Sequence, residues 1–289
     1  MTPLADRVDE LMNAPVAALA FAVAHEHGLG PDDWADPGSA SALAISASDA
    51  LQPWNGDAVG MRARALADVR PLRGAVQDVL ADPRNTWWSA PLDPARQLMV
   101  GEPRVAHAPG LQLRPWEIYA QWALGATVTS SLLPADPLVS HAQRALTYGP
   151  GDWSPPLPVP RRVVIPDEGA RVYEIDSAAD WHALAQSYGD PTTHPGRTED
   201  LWSAAGVDNG LCPTWSAVAV DWDAVHLTFA GALTAQYVPV RTGDVVTTLW
   251  SWGWEQTMWL RPAWSFGKAL PAIVDPSVEA VPRFWSWKD

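Results

Sequence analysis

A single cysteine, Cys212, is the only thiol in the chain, so no intramolecular disulfide is available and the fold needs no oxidising compartment. Lysine is nearly missing as well, with only Lys268 and Lys288, which leaves arginine to carry most of the positive charge. Acidic residues outnumber basic ones 33 to 19, and the formal charge of −14 repels a phosphate backbone at long range. Apart from Arg161 and Arg162 no basic cluster offsets that charge, which argues against duplex nucleic acid as a partner. No run of eighteen apolar residues occurs. The mildly hydrophobic stretch 16–23 follows Asp6, Asp9 and Glu10 instead of a basic region, so neither a spanning helix nor a signal peptide is expected. These features predict a cytoplasmic protein that engages a small-molecule ligand or a protein target away from membranes. The usual catalytic signatures are missing too: no G-x-S-x-G elbow, P-loop, G-x-G-x-x-G fingerprint or H-E-x-x-H is present.

What the chain has in excess is tryptophan. There are eighteen, ten of them after residue 200, including Trp250-Ser-Trp252-Gly-Trp254 and Trp285-Ser-Trp287. Indoles bury large areas and carry one N–H that needs a partner. They serve as core, or as an aromatic wall for a planar ligand. With 47% apolar residues over 289 positions, a sizeable buried core is expected.

Apolar residues at Val8, Leu11, Met12, Val16, Leu19 and Val23 predict a helix over 5–27, bent at Pro15 and stopped at Gly28. A loop is expected from Gly28 to about Ser48. A second helix is expected over 57–80, interrupted at Pro71. From Trp87 onward, shorter apolar runs between Pro and Gly predict strands at 96–100, 116–122, 127–132, 162–165 and 171–175, with a helix at 138–146 and extended chain at 155–160. Ser177 and Asp180 fit a cap for a helix that ends at Gly189, and 190–214 reads as loop. A short helix follows at 215–222. Strands follow at 225–230, where Val225, Leu227 and Phe229 alternate with His226 and Thr228, then at 245–252 and 255–260. The expected class is α+β, with a helical N-terminal region at 1–84 and a Trp-rich α+β domain at 85–289 whose mixed, mainly antiparallel sheet carries short helices.

His25-Glu26-His27 has i, i+2 spacing, which on a helix turns the two imidazoles apart, so it reads as a polar helix end rather than a metal site. Asp32, Asp33 and Asp36 read as helix N-caps. Cys212 reads as a small apolar filler, although His194 and His226 are conceivable bases for it.

Trp116-Glu-Ile-Tyr-Ala-Gln-Trp122 with Thr127-Val-Thr-Ser-Ser131, then Arg171-Val-Tyr-Glu-Ile175 with its helix, then Trp252-Gly-Trp-Glu-Gln-Thr-Met-Trp-Leu260 occur in that order. A strand of small hydroxyls followed by a late glutamate on a strand resembles the layout of the ADP-ribosyltransferase superfamily, over at most residues 85–265. The resemblance implies a split sheet whose cleft holds NAD+ as substrate. It assigns Glu255 and Ser130 as catalytic, and Arg114, Thr129, Ser131 and Trp254 as contacts to the dinucleotide. Either Ser130 or Ser131 matches the hydroxyl position and Arg114, just before the 116–122 strand, the basic one, with His226-Leu-Thr228 as an alternative placement for the basic strand. The activity implied is cleavage of NAD+ at its N-glycosidic bond, with or without ADP-ribose transfer. Two readings from other classes stand beside it. One is a non-catalytic binding protein with a Trp-rich surface; the other is an enzyme whose metal ligands are scattered histidines.

Overall fold

The computed structural model describes residues 3–52, 57–100, 127–132, 159–190, 210–249, 252 and 254–273. The expected strand at 116–122, the helix at 138–146, Arg114 and Trp250 lie outside them. The architecture is α+β, with an N-terminal helical segment followed by a mixed, largely antiparallel set of strands and short helices.

The N-terminal segment contains α1 (Val8–Met12), α2 (Pro15–Glu26), α3 (Pro31–Ala35), α4 (Pro37–Ala50), α5 (Ala58–Asp68) and α6 (Arg73–Ala81). Pro15 does more than bend a helix. It opens α2 at the first helical position, where its missing N–H costs nothing. Gly28 ends that helix in the left-handed region at φ 68°, which glycine enters without a Cβ penalty. Pro71 likewise separates α5 from α6 with one turn of 3-10 helix at Arg70–Leu72. The loop expected after Gly28 is instead helical. Asp36 accepts a hydrogen bond from the Ser39 N–H at 2.8 Å, Pro37 follows as first residue, and an alanine-rich run carries α4 to residue 50. Its small residues form no large-residue stripe, so the apolar period that marks most helices is weak there.

Nine strands follow among the described residues. Strands β1 (Gln97–Val100), β3 (Val159–Pro166) and β9 (Trp264–Ile273) form an antiparallel sheet in the order β1-β3-β9. Strands β2 (Thr127–Thr129), β8 (Gln256–Trp259), β5 (Ala224–Leu227) and β4 (Val172–Ile175) form a second sheet in the order β2-β8-β5-β4, parallel only between β4 and β5. β6 (Val240–Thr242) and β7 (Val245–Thr247) make a hairpin. The expected strand at 225–230 stops at Leu227 because Thr228 caps α9 (Phe229–Thr234), its hydroxyl accepting from the Gly231 N–H at 2.9 Å.

One face of the four-stranded sheet is apolar. Val225 and Met258 pack there with Trp181 and Leu184 of α7 (Ala178–Tyr188) and with Trp215 and Val218 of α8 (Trp215–Asp221). Trp181, Trp215 and Trp252 meet in pairs with ring centroids 6.1 to 6.4 Å apart. A second core joins helices α2 and α4 to Phe229, Leu233 and Tyr237, with Trp34 stacked on Phe21 at 4.2 Å and Trp88 edge-on to Phe229 at 5.0 Å. Every described tryptophan is buried or half-buried.

Candidate acid–imidazole site

The opposite face of the four-stranded sheet is polar. In register across it run Thr129 on β2, Thr257 on β8, His226 on β5 and Glu174 on β4. This row follows from the period of two along each strand. Fixing Val225 and Met258 inward on one side turns His226 and Thr257 to the other. Continuing the antiparallel register from Thr129 and Thr257 by two residues brings Ser131 opposite Glu255, and the side chains meet there.

Glu255 is 4% exposed and fully engaged. Its Oε2 accepts from the Ser130 hydroxyl. Its Oε1 accepts from the Ser131 hydroxyl at 2.7 Å and from the Ser131 N–H at 3.1 Å, and lies 3.1 Å from His226 Nε2. His226, 1% exposed, reaches Glu174 through Nδ1 at 2.5 Å. Glu174 also accepts from the Leu92 N–H at 3.1 Å, and its side chain is 31% exposed, making it the solvent-facing end of this hydrogen-bonded triad.

The imidazole sits between two carboxylates. Burial alone lowers its pKa, but the hydrogen bonds and charges of Glu174 and Glu255 outweigh that effect and push it up to about 9. Glu255 shows the mirror case. Burial raises its pKa, while His226 and the hydroxyls of Ser130 and Ser131 more than offset this and hold it below the ordinary carboxylate value. The group is a buried ion pair with its polar valences filled, which is the condition for keeping charge in a dry interior.

Ser130 lies at the junction of the two sheets. β2 pairs with β8 up to Thr129, and the next residue exchanges two backbone hydrogen bonds of 3.0 Å with Leu98 of β1. Thr129 lies beside the pair rather than in it, accepting from Trp259 Nε1 at 2.9 Å and donating to Gln97 at 2.5 Å. Trp254 is half-buried against Ile45, Leu98, Val163 and Leu270. Thr257 is different again, a fully buried hydroxyl in the middle of the row without a hydrogen-bond partner among the described residues.

Of the residues expected from sequence, Glu255, Ser130 and Ser131 come together across 124 and 125 positions of chain. Arg114 is outside the described residues. Sequence reasoning misses Glu174 and the contact of His226 with Glu255. The signal available is that both lie on the polar side of an alternating strand; their pairing, 52 residues apart, is a matter of register. A second ionic group flanks the row, where Asp176 accepts from Thr228 at 2.7 Å and from Arg7 at 2.9 Å.

Among the described residues no group of three or more His, Cys, Asp or Glu is arranged to hold a metal ion. His182 and His226 each spend both ring nitrogens on protein oxygens, Thr242 and Thr247 for the former. Cys212 is packed among apolar side chains, and burial pushes its thiol up to about 12, the opposite of an activated nucleophile. Among the described residues no helix is long and apolar enough to cross a membrane. No family model, curated protein or solved structure matches this chain.

Proposed function

We propose that the chain cleaves the N-glycosidic bond of NAD+, with Glu255 as the reacting-centre carboxylate and Ser130 as its hydroxyl partner. One observation supports the reading: a late glutamate and an earlier serine pair meet where two sheets join, and the glutamate is held ionised. In the reaction the bond from ribose C1′ to the nicotinamide nitrogen breaks and its electron pair leaves with nicotinamide. Positive charge grows on the ribose ring, and a fixed carboxylate in a dry site stabilises it. Water then adds at C1′, releasing a proton and ADP-ribose. To meet the ribose, Glu255 exchanges one of its serine hydrogen bonds for one from a sugar hydroxyl. The test is nicotinamide release from NAD+ by the purified protein. Glu255→Gln is expected to lower kcat by about 100-fold to 1,000-fold, the range for losing one transition-state electrostatic partner, with an unchanged circular dichroism spectrum. Folded wild-type protein that leaves NAD+ intact, or an equally active variant, removes the reading.

A second reading, a non-catalytic binding protein with an aromatic recognition surface, is favoured by two other observations. Both carboxylate oxygens of Glu255 are already occupied by the chain's own donors. The outer strand β9 presents Phe266, 43% exposed, edge-on to Trp264 at 4.8 Å with Arg162 over its ring at 5.1 Å. Such an amphipathic aromatic group suits a protein partner. On this reading Glu255→Gln alters stability alone.

A further inference from the structure

We infer that His226 is a positioning residue that keeps Glu255 ionised and aimed, and that Glu174 connects this pair to solvent. The inference rests on the reading of Glu255 as the reacting carboxylate, and extends it to two residues that never touch the sugar.

The geometry carries it. A lone carboxylate in a site as dry as that of Glu255 would take up a proton, because an unpaired buried charge is too costly to keep. Ser130 and Ser131 donate to it, yet neither brings positive charge. His226 does, and its ring is held at both nitrogens, 3.1 Å from Glu255 and 2.5 Å from Glu174. Two contacts at opposite corners of a planar ring fix its rotation, so the donor aimed at Glu255 cannot turn away. With both nitrogens facing carboxylates, both must donate, which makes the ring an imidazolium. Two other acidic groups follow β4, Asp176 and Asp180, and each has its own donors. Arg7 reaches Asp176 and Glu10, and Asp180 is bound by Ser177 and the Asp176 N–H. Within the triad of Glu174, His226 and Glu255, Glu174 is the member that meets solvent.

The role differs from simple structural support in what it does to pH dependence. While His226 is charged, Glu255 remains an anion. Above about pH 9 the ring loses its proton, Glu255 loses its counter-charge, and turnover falls. Glu174→Gln removes one of two flanking negative charges and is expected to bring that alkaline limb down by about one pH unit, the lower end of the effect of a charge at this distance. His226→Gln keeps a hydrogen-bond donor but no charge. It is expected to erase the alkaline limb and raise the acid limb, as Glu255 regains a proton more easily.

Two measurements together decide it. The first is nitrogen NMR of the labelled imidazole in the substrate-free protein, which reads protonation without reference to NAD+. The second is the pH profile of nicotinamide release for wild type, Glu174→Gln and His226→Gln. The expected result is an imidazolium at about pH 7.5, well below the point where the ring gives up its proton, with a titration midpoint that coincides with the alkaline limb, both moving together in Glu174→Gln. A neutral ring at that pH overturns the inference even if NAD+ is cleaved. A charged ring whose substitution leaves the pH profile unmoved overturns it as well. A charged ring in a protein that leaves NAD+ intact removes the glycosidic reading and the positioning role with it, leaving a structural ion triad.

Discussion

Thr257 is the one side chain in the polar row whose hydrogen bonding is incomplete. It is fully buried between Thr129 and His226, and its hydroxyl has no partner among the described residues. An orphaned buried hydroxyl costs about 1 to 3 kcal/mol, so exchanging it for a methyl of the same shape recovers part of that. Thr257→Val is therefore expected to raise the urea midpoint, by up to about 1 kcal/mol in stability. A net loss of stability would mean that the hydroxyl has a role in the folded state after all. Glu255 stands at the other extreme. Truncation to alanine strands the charged His226 beside Glu174 alone, and breaking a buried pair in this way costs about 3 to 5 kcal/mol. That is why Gln rather than Ala is the informative substitution for activity. At this scale the sequence is partly legible. Glu255 and the serines are recognisable because carboxylate and hydroxyls are chemically suited to each other. His226 is visible as the polar member of an alternating strand, but nothing local says that its partners are Glu174 on one side and Glu255 on the other.

Element boundaries in this chain are set by hydroxyl caps and by close backbone approaches. Ser177 caps α7 by accepting from the Asp180 N–H, and the Asp180 carboxylate in turn accepts from the Ser177 hydroxyl and the Asp176 N–H. Ser177→Ala is expected to cost about 1 kcal/mol, measured by chemical denaturation. Thr228 does two jobs, capping α9 and donating to Asp176, so Thr228→Ala is expected to cost more than the Ser177 variant. Gly231 permits α9 to lie against β4. A Cβ there would press into the Ile175 carbonyl oxygen, and Gly231→Ala forces the helix off the sheet. The Ser177 cap is readable in sequence because it and Asp180 lie within one turn. The helix over 37–50 is not, since its alanines and serines create no apolar stripe and its cap, Asp36, sits in a run that also reads as loop. The strand expected at 255–260 is marked off in sequence by the break at Gly253, whereas its pairing with β2 and β5, far away in sequence, is not legible.

For the whole molecule, two buried ionic groups on one sheet face hold distant segments together. Arg7, from the first turn of the chain, reaches Asp176, Thr234 and Ser89, joining the N-terminal helices to β4 and α9. Arg7→Leu leaves Asp176 without its cation and is expected to cost about 3 to 5 kcal/mol in unfolding free energy, with partial recovery on adding Asp176→Asn. A cost under about 1 kcal/mol would mean the staple is dispensable. The His226 triad makes stability depend on pH in a defined direction. Its folded pKa of about 9 lies above the ordinary 6.5, so its contribution is complete below about pH 6.5 and is lost as pH rises through 9. Glu255 is held down, so its contribution is present above its ordinary 4.5 and is lost as pH falls through the folded value. Urea midpoints should therefore be highest between about pH 5 and 6.5. Toward about pH 9.5 stability should fall by roughly 3 kcal/mol, since each tenfold change in proton affinity is worth about 1.4 kcal/mol. His226→Gln should flatten that fall. The α+β class and the helical start are legible from periodicity alone. The junction of the two sheets at Ser130 is not, because it depends on one residue changing partners between strands that are distant in sequence.

The claim on which the functional account stands is that Glu255 and Ser130 face the ribose next to nicotinamide. A crystal structure of Glu255→Gln soaked with NAD+, slowed enough to hold the intact dinucleotide, tests it directly. The account predicts a hydroxyl of that ribose within hydrogen-bonding distance of the substituted amide, with the Ser130 hydroxyl alongside. Nucleotide bound elsewhere, or none bound while that amide keeps every contact to Ser130, Ser131 and His226, would contradict it.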